Sequence, residues 1–350
     1  MPGLKPLPSG LTDEENARCV LEVMMKAIVY EKYGPPDVLE LKEVEKPAPL
    51  EDEVLVEVHA ASVNAYDWHF LTADVFLIRL MSGGLFKPKK NTLGADIAGS
   101  VAALGENVTR FKPGDHVFGT AKGGSGGFAE FVCAKQKSLV LKPAKVTFEE
   151  AAASSMAALT ALQGLRDEGK IQAGQSVLIY GASGGVGTFA IQIAKSFGAD
   201  VTAGCSTRNM ATARSIGADA VIDYKREDFF EDVKLYDLIF VANGDVPVSK
   251  YKRALKTNGI CVLAGGGNNS IFQLLIGMVQ EWWIQKTEKK KIGSFLARIN
   301  QKDLSVMQEL LASDQVKPVI DRRYPLGDTG EALRYIGEGH AQGKIVITMK

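Results

Sequence analysis

The sequence predicts an α/β protein of two domains, one mainly β and one built on a parallel sheet. From Met25 to about residue 148, short alternating segments such as Glu53–His59 are separated by Gly and Pro turns, the pattern of short β-strands. After residue 149, strand-length segments alternate with helix-length segments, which is typical of a parallel sheet wrapped by helices. The length of 350 residues agrees with two domains.

The individual elements follow from these patterns in chain order. In the first region we predict strands at Lys26–Tyr30, Glu53–His59 and Gly94–Gly105. In the second we predict strands at Ser176–Tyr180, Asp200–Gly204, Ala220–Asp223, Tyr236–Val241 and Gly259–Leu263, with helices from Gly187 and from about Asn209. A helix at Leu304–Ser313 and a strand at Lys344–Thr348 end the chain, and that last strand is expected to return to the β domain.

Composition and charge exclude several classes of protein. The 41 basic and 41 acidic residues balance, so the chain has no basic footprint for nucleic acid. The four cysteines form no CxxC pair, which indicates reduced thiols and a cytoplasmic protein. The apolar segment Ile271–Ile284 is too short and too polar for stable membrane insertion, and we expect it to cover a pocket or a partner. Residues 1–24 lack a signal-peptide core and are interpreted as a natural extension or a cloning artefact.

The stretch YGASGGVG at Tyr180–Gly187 carries the strongest functional signal. A predicted strand ends at Tyr180 and a helix follows, the context that a dinucleotide-binding fingerprint requires. The fingerprint spans Ala182, Ser183, Gly184, Gly185, Val186 and Gly187. Gly184 would let the backbone approach a pyrophosphate, and Gly187 would let the helix pack on the strand. The second domain is therefore predicted to be a Rossmann doubly wound parallel-sheet domain.

The next strand favours NADPH over NADH. An acidic residue at its end would bind the ribose of NAD, but the sequence there reads Gly204-Cys-Ser-Thr-Arg208. Ser206 can donate a hydrogen bond to a 2′-phosphate and Arg208 can pair with it. A solvated arginine at a helix start is the alternative for Arg208.

Several further stretches resemble one family. They are Ala61–Trp68, Leu93–Val101, Phe111–Gly119, Gly127–Phe131, Ala158–Ala161, the glycine loop and Ser215–Tyr224. In this order they resemble the zinc-independent medium-chain dehydrogenase/reductases of the quinone oxidoreductase, or ζ-crystallin, type. The likeness is strongest to the chloroplast-envelope quinone oxidoreductase and enone reductase subgroup, around Ala242–Gly244 and Gly343–Ile347.

The resemblance implies a GroES-like, mainly β catalytic domain at 25–149 and 289–350, with the Rossmann domain at 150–288 between them. It implies an active site in the cleft between the domains, and a homodimer or homotetramer. By position it also implies cofactor contacts from Thr160, Tyr224, Asn243, Gly265 and Lys344, with Lys344 near the phosphates.

Metal catalysis is not predicted. Zinc-dependent relatives place a cysteine and a Gly-His-Glu stretch where this chain has Ser62-Val-Asn64 and Gly94-Ala-Asp96. Without three converging ligands a catalytic zinc is not supported. A site without a Lewis acid cannot stabilise an alkoxide in the usual way. It suits hydride transfer to a quinone or an α,β-unsaturated carbonyl, because the conjugated system of the substrate accepts the electrons.

Candidates for a donor to the developing oxyanion lie in Asn64–His69. Asn64 matches the family asparagine near the nicotinamide ribose, and Tyr66 is able to stack on a planar substrate or to serve the fold. His69 stands where several quinone reductases have tyrosine, and either donates a proton or lines the pocket. Asp67 is interpreted as a structural carboxylate. A metal-free alcohol or ketone oxidoreductase and a non-catalytic NADPH-sensing protein remain the alternatives.

Overall fold

The computed structural model describes residues 23–73, 79, 84, 86–225, 235–244, 246–264 and 290–349. Gly265, the segment Ile271–Ile284 and most of residues 1–24 lie outside these ranges. The strands are β1 Met24–Val29, β2 Glu40–Glu45, β3 Glu53–Val63, β4 Asp96–Leu104, β5 His116–Thr120, β6 Phe131–Lys135, β7 Leu139–Leu141, β8 Ser176–Tyr180, β9 Asp200–Cys205, β10 Ala220–Asp223, β11 Tyr236–Val241, β12 Leu255–Leu263, β13 Lys291–Ser294, β14 Ile320–Pro325 and β15 Lys344–Thr348. The helices are α1 Ala65–Thr72, α2 Phe148–Ala153, α3 Met156–Gln163, α4 Gly185–Ser196, α5 Met210–Ser215, α6 Val248–Ala254, α7 Gln301–Ala312 and α8 Thr329–Gly337.

Six of the described strands form an all-parallel sheet in the order β10-β9-β8-β11-β12-β13. Numbered from β8, this order is 3-2-1-4-5-6, the Rossmann arrangement. Its strand order reverses between β8 and β11, and ligands of such sheets bind at the carboxyl ends of the strands on either side of that point. The predicted α/β fold with a Rossmann sheet is confirmed.

The other large sheet is mainly antiparallel and runs β14-β15-β3-β4-β5-β7, with β6 pairing the first half of β3. The C-terminal strand β15 pairs antiparallel with β3, Ile345 opposite Val63, so the end of the chain does return to the β domain. Strands β3 and β15 are therefore neighbours in space, although β3 lies in the first part of the sequence and β15 at its end.

The parallel sheet includes one segment, β13, that was predicted from the sequence to belong to the β domain. Lys291–Ser294 pairs in parallel with β12, although residues from 289 onward were expected in the β domain. We keep the two-domain division as a proposal and place the return to the β domain after Ser294. A strand of only four residues gives too little periodicity to assign it to a sheet from sequence.

The two sheets share a hydrophobic core. Ala60, Ala98 and Phe118 of the antiparallel sheet belong to the same buried cluster as Val177 and Phe189 of the Rossmann half. Helix α2 packs against strands β3, β4, β5 and β15 of the antiparallel sheet and contributes Ala151, Ala152 and Ala153 to the same cluster. This packing brings β3 and β15 of one domain close to the glycine loop of the other.

Candidate functional site

The glycine loop lies at the point where the strand order reverses. Strand β8 ends at Tyr180, Gly181 adopts a left-handed φ of 75°, and α4 begins at Gly185 with Gly184 as its N-cap. A methyl group on Gly187 would lie 2.2 Å from the carbonyl oxygen of Gly181, so glycine is required for the helix to approach the turn this closely. The first-turn amides of α4 have no side-chain cap, which leaves them available to an anion.

The loop after β11 contacts the glycine loop. A methyl group on Gly181 would lie 2.5 Å from the carbonyl oxygen of Asn243, and Asn243 itself is exposed. The two loops therefore meet at the carboxyl ends of β8 and β11, where the strand-order rule places a dinucleotide. Ala182 is buried, and Ser183 and Val186 are half-buried.

Three residues predicted to bind the adenosine phosphate lie close together, at the carboxyl ends of β9 and β10. Ser206 is buried and its Oγ accepts a hydrogen bond of 3.1 Å from Asn209 Nδ2. Arg208 is exposed, and its guanidinium donates to the carbonyl oxygen of His340 at 3.2 Å. Tyr224 is 40% exposed, with its ring centroid 5.7 Å from that of Tyr180. A shallow pocket beside them is bordered by Ser183, Asn209 and Gln342.

Sequence reasoning missed an acid at this place. Asp223 ends β10 opposite Cys205 in the neighbouring strand, and Thr207 Oγ1 donates to its carboxylate at 2.5 Å. The backbone amide of Lys225 donates to the other carboxylate oxygen at 3.0 Å. Asp223 is buried and hydrogen-bonded to the turn, so a carboxylate lies near Ser206 and Arg208, the two residues predicted to favour NADPH. The parallel pairing of β9 with β10 was the signal that could have found it.

On the β-domain side, Asn64 and Lys344 are joined in a buried network. Lys344 Nζ donates to Asn64 Oδ1 at 2.6 Å and lies 3.8 Å from Asp96 Oδ2. Asn64 Nδ2 donates to Asp96 Oδ2 at 3.0 Å and contacts the carbonyl oxygen of Ser62 at 3.4 Å. Burial raises the pKa of Asp96 and lowers that of Lys344, and each charge opposes the other's shift. The amide of Asn64 is therefore fully engaged inside the protein.

Asp67 fixes the start of α1. Its carboxylate accepts hydrogen bonds from the backbone amides of Asn64, at 2.9 Å, and Gly94, at 3.0 Å. Complete burial raises the pKa of Asp67 to about 7, against the lowering effect of those two amides. These contacts agree with the structural role predicted for this carboxylate.

Tyr66, Trp68 and His69, the other side chains of interest on α1, differ in their burial and in the residues that they contact. Tyr66 is half-buried, its ring 4.2 Å from that of Phe70, and burial followed by the charge of Asp67 raises its pKa to about 12. A methyl group on Gly337 would lie 2.5 Å from the Trp68 ring, so Trp68 packs against α8. His69 is half-buried on the same helix. Thr160 lies on α3, with its hydroxyl bonded to the carbonyl oxygen of Met156 at 2.8 Å.

Comparisons with known proteins agree with this architecture. The alcohol dehydrogenase GroES-like domain model matches residues 50–144, and the zinc-binding dehydrogenase model matches residues 216–347. The chain is 32% identical over 339 residues to the chloroplast envelope quinone oxidoreductase homolog of Arabidopsis thaliana, covering 93% of this chain and 98% of that protein. It is 32% identical over 341 residues to the NADPH-dependent alkenal/one oxidoreductase of the same plant, covering 92% and 79%.

Among solved structures, the quinone oxidoreductase from Coxiella burnetii matches with a TM-score of 0.82 and 32% identity, covering 93% of this chain and 100% of that one. A GroES-like domain joined to a Rossmann sheet defines the medium-chain dehydrogenase/reductase class. Within that class, the chain belongs to the quinone oxidoreductase family. The resemblance predicted from the sequence is confirmed.

Zinc, which one family model names, does not fit the residues present. Asp96 stands at the Gly-Ala-Asp stretch, but its carboxylate is bonded to Asn64 and to the Met156 amide, with the Lys344 ammonium beside it. A buried ammonium at this carboxylate opposes a second cation. Across the described ranges, no group of three or more His, Cys, Asp or Glu side chains is arranged to hold a metal ion. Within the same ranges, no helix is both long and apolar enough to span a membrane.

Proposed function

We propose that this protein is a zinc-independent NADPH-dependent reductase of quinones or α,β-unsaturated carbonyls. The observation that carries the proposal is the glycine loop at the strand-order reversal, with the buried Asn64 network of the β domain against it. The family relationship supports the same reaction class.

The proposed coenzyme site uses three parts of the Rossmann half. The first-turn amides of α4 would bind the pyrophosphate, because a helix N-terminus carries partial positive charge. Ser206 and Arg208 would bind the 2′-phosphate, for which Arg208 must release the His340 carbonyl oxygen or share its guanidinium with it. Tyr224 and Asn243 lie beside these positions, and Thr160 is proposed to face the nicotinamide.

Bound NADPH supplies a hydride, which leaves negative charge on the oxygen of the quinone or enone. The protein then has to donate a hydrogen bond to that oxygen and exclude water. Tyr66 is the first candidate donor because it is a half-buried phenol on α1, which is protonated at neutral pH like any tyrosine; burial raises its pKa further, to about 12. His69 is the second candidate donor. Asn64 is proposed as a support for α1 instead, because its amide hydrogens are already bonded to Asp96 and Ser62.

The activity is tested by following NADPH and NADH oxidation by the purified protein. The acceptors are 9,10-phenanthrenequinone, 1,4-benzoquinone, an alkenal, a long-chain enone and a simple ketone, each with and without chelator. We expect oxidation of NADPH with quinone or enone that chelator does not change. Turnover of the ketone alone would favour a ketone oxidoreductase, and tight NADPH binding without any turnover would favour a sensing protein.

We also propose a homodimer or homotetramer acting in the cytoplasm on a small-molecule acceptor. Of the described strands in the parallel sheet, β10 and β13 lie at its edges, where a second copy is able to add. Sedimentation velocity measures the assembly, and a monomer would contradict it. Both Arabidopsis relatives are named as chloroplast proteins, the alkenal/one oxidoreductase as chloroplastic, so imaging of a fluorescent fusion decides between the cytoplasm and an organelle.

A further inference from the structure

Lys344 is the one buried lysine or arginine among the residues that the structure describes, and its ammonium is hydrogen-bonded to the β domain and not to the first-turn amides of α4. Its side chain is 3% exposed, and its ammonium donates to Asn64 Oδ1 and to the carbonyl oxygen of Val63 at 3.3 Å. A buried charge is costly unless it is paired and hydrogen-bonded. These contacts therefore hold the ammonium on the β-domain side of the cleft.

The aliphatic stem of the same side chain lies against the Rossmann half. A methyl group on Gly185, the first residue of α4, would lie 2.9 Å from Lys344 Cδ. One lysine thus contacts the glycine loop with its stem and the β domain with its charge. The strand that carries it, β15, pairs with β3 immediately before Asn64.

Two other helix starts are tied to the ammonium through one residue each. Asn64, which accepts from Lys344, is the N-cap of α1, the helix of Tyr66 and His69. Asp96, 3.8 Å from the ammonium, accepts a hydrogen bond of 3.1 Å from the amide of Met156, the first residue of α3. The beginnings of α1, α3 and α4 therefore meet at a single buried ion pair.

The ion pair also fixes which way the Asn64 amide is turned. An ammonium can only donate, so the Asn64 oxygen must face Lys344, and its NH₂ group must face Asp96 and Ser62. Every polar atom of this side chain has a partner in the protein. Asn64 therefore links Lys344 to the start of α1, and both of its amide hydrogens are bonded within the protein.

We propose that Lys344, paired with Asp96, is a positioning residue that couples the glycine loop to helices α1 and α3. This role replaces the phosphate contact that the sequence predicted for Lys344. It rests on the proposed function, since coupling matters only if NADPH binds at the glycine loop. Filling that site is then expected to stabilise the starts of α1 and α3, which carry the proposed donors and Thr160.

The first arm of the test measures thermal unfolding of Lys344→Met, Asp96→Asn and the double variant. Lys344→Met keeps an unbranched side chain that is one atom shorter but leaves the Asp96 carboxylate buried without its cation, so we expect a melting temperature lower by roughly 5–10 °C. Asp96→Asn in the same chain removes that carboxylate and is expected to recover at least half of the loss. Lys302→Met, an exposed lysine of α7, is the matched control. Additive losses in the double variant would overturn the pairing.

The second arm uses the double variant, which is expected to fold. NADPH affinity is measured by nicotinamide fluorescence, and amide hydrogen exchange by mass spectrometry with and without NADPH. In the wild type and in Lys302→Met, we expect NADPH to slow exchange in the glycine loop and at the starts of α1 and α3. In the double variant we expect the glycine-loop protection to remain, the protection of α1 and α3 to disappear, and the NADPH dissociation constant to change by less than about threefold.

Three results would overturn the proposal. Unchanged protection of α1 and α3 in the double variant would show that the pair does not couple the elements. A dissociation constant raised tenfold or more with unchanged protection would make Lys344 a phosphate ligand. If the wild type binds no NADPH, the proposed function and the coupling both fail, whereas recovery in the melting arm would still demonstrate the ion pair.

Discussion

An added methyl group is expected to destabilise the fold at Gly187 and to leave its stability nearly unchanged at Gly184, although both glycines belong to the same loop. On Gly187 the methyl carbon would lie 2.2 Å from the Gly181 carbonyl oxygen and 2.7 Å from backbone atoms of Ala182, none of which is a flexible side chain. The backbone must shift, at a cost of about 1–3 kcal/mol. On Gly184, whose φ of −79° suits any residue, the nearest atom is 3.9 Å away. The free energy of unfolding of Gly184→Ala is therefore expected to stay within about 0.5 kcal/mol.

The coenzyme affinity of the two variants separates packing from binding. If the pyrophosphate lies against Gly184, the methyl group of Gly184→Ala occupies coenzyme space and raises the NADPH dissociation constant about tenfold or more, or ~1.4 kcal/mol. Gly187→Ala is expected to lower the melting temperature by about 2–4 °C for each kcal/mol lost. Nicotinamide fluorescence titration and thermal unfolding of both variants measure this. Wild-type affinity in Gly184→Ala would refute the coenzyme assignment, and wild-type melting of Gly187→Ala would refute the packing argument.

Three further predictions concern single side chains. Arg208→Ala is expected to raise the NADPH dissociation constant about tenfold and leave that of NADH unchanged, with Arg214→Ala, exposed on α5, as the control; equal effects on both coenzymes would contradict the 2′-phosphate role. Tyr66→Phe is expected to lower kcat roughly 100-fold at unchanged NADPH affinity, and an unchanged kcat would exclude it as the donor. Because the pKa of Asp67 is raised from 3.8 to about 7 in the folded protein, folded Asp67 keeps a proton that the unfolded chain loses, so its contribution to stability falls as pH rises from about 4 to 7. The unfolding free energy of the wild type minus that of Asp67→Asn, from urea melts, is expected to drop by about 2–3 kcal/mol between about pH 5 and 8; parallel curves would contradict the shift.

The features that the sequence alone predicted are those formed by residues that follow one another in the chain. The strand ending at Tyr180, the glycine turn and the following helix need only local spacing, and the predicted bounds of β8, β10, β11 and β15 match the structure. The fingerprint could be placed because its spacing is local, and Gly187 meets a steric demand within the same loop, against the Gly181 carbonyl oxygen.

What sequence could not provide are contacts between distant segments. Lys344 and Asp96 form an ion pair although no local pattern links them, because only the pairing of β15 with β3 and of β3 with β4 brings them together. Asp223 contacts Thr207 because β9 and β10 pair in parallel; the sequence predicts each of these strands separately but not their pairing. The role proposed for Asn64 differs from the predicted one for the same reason: its residue type suits a substrate donor, but its two amide hydrogens already bond to Asp96 and to the carbonyl oxygen of Ser62.

The central claim is that hydride passes from NADPH to a quinone or enone without a metal. Its most direct test supplies NADPH deuterated at the transferable position of the nicotinamide, together with an enone and a chelator, and locates the label in the product by NMR. The account predicts one deuterium at the β-carbon, at the same rate with and without chelator. Product without the label, or loss of turnover on adding chelator, would contradict it.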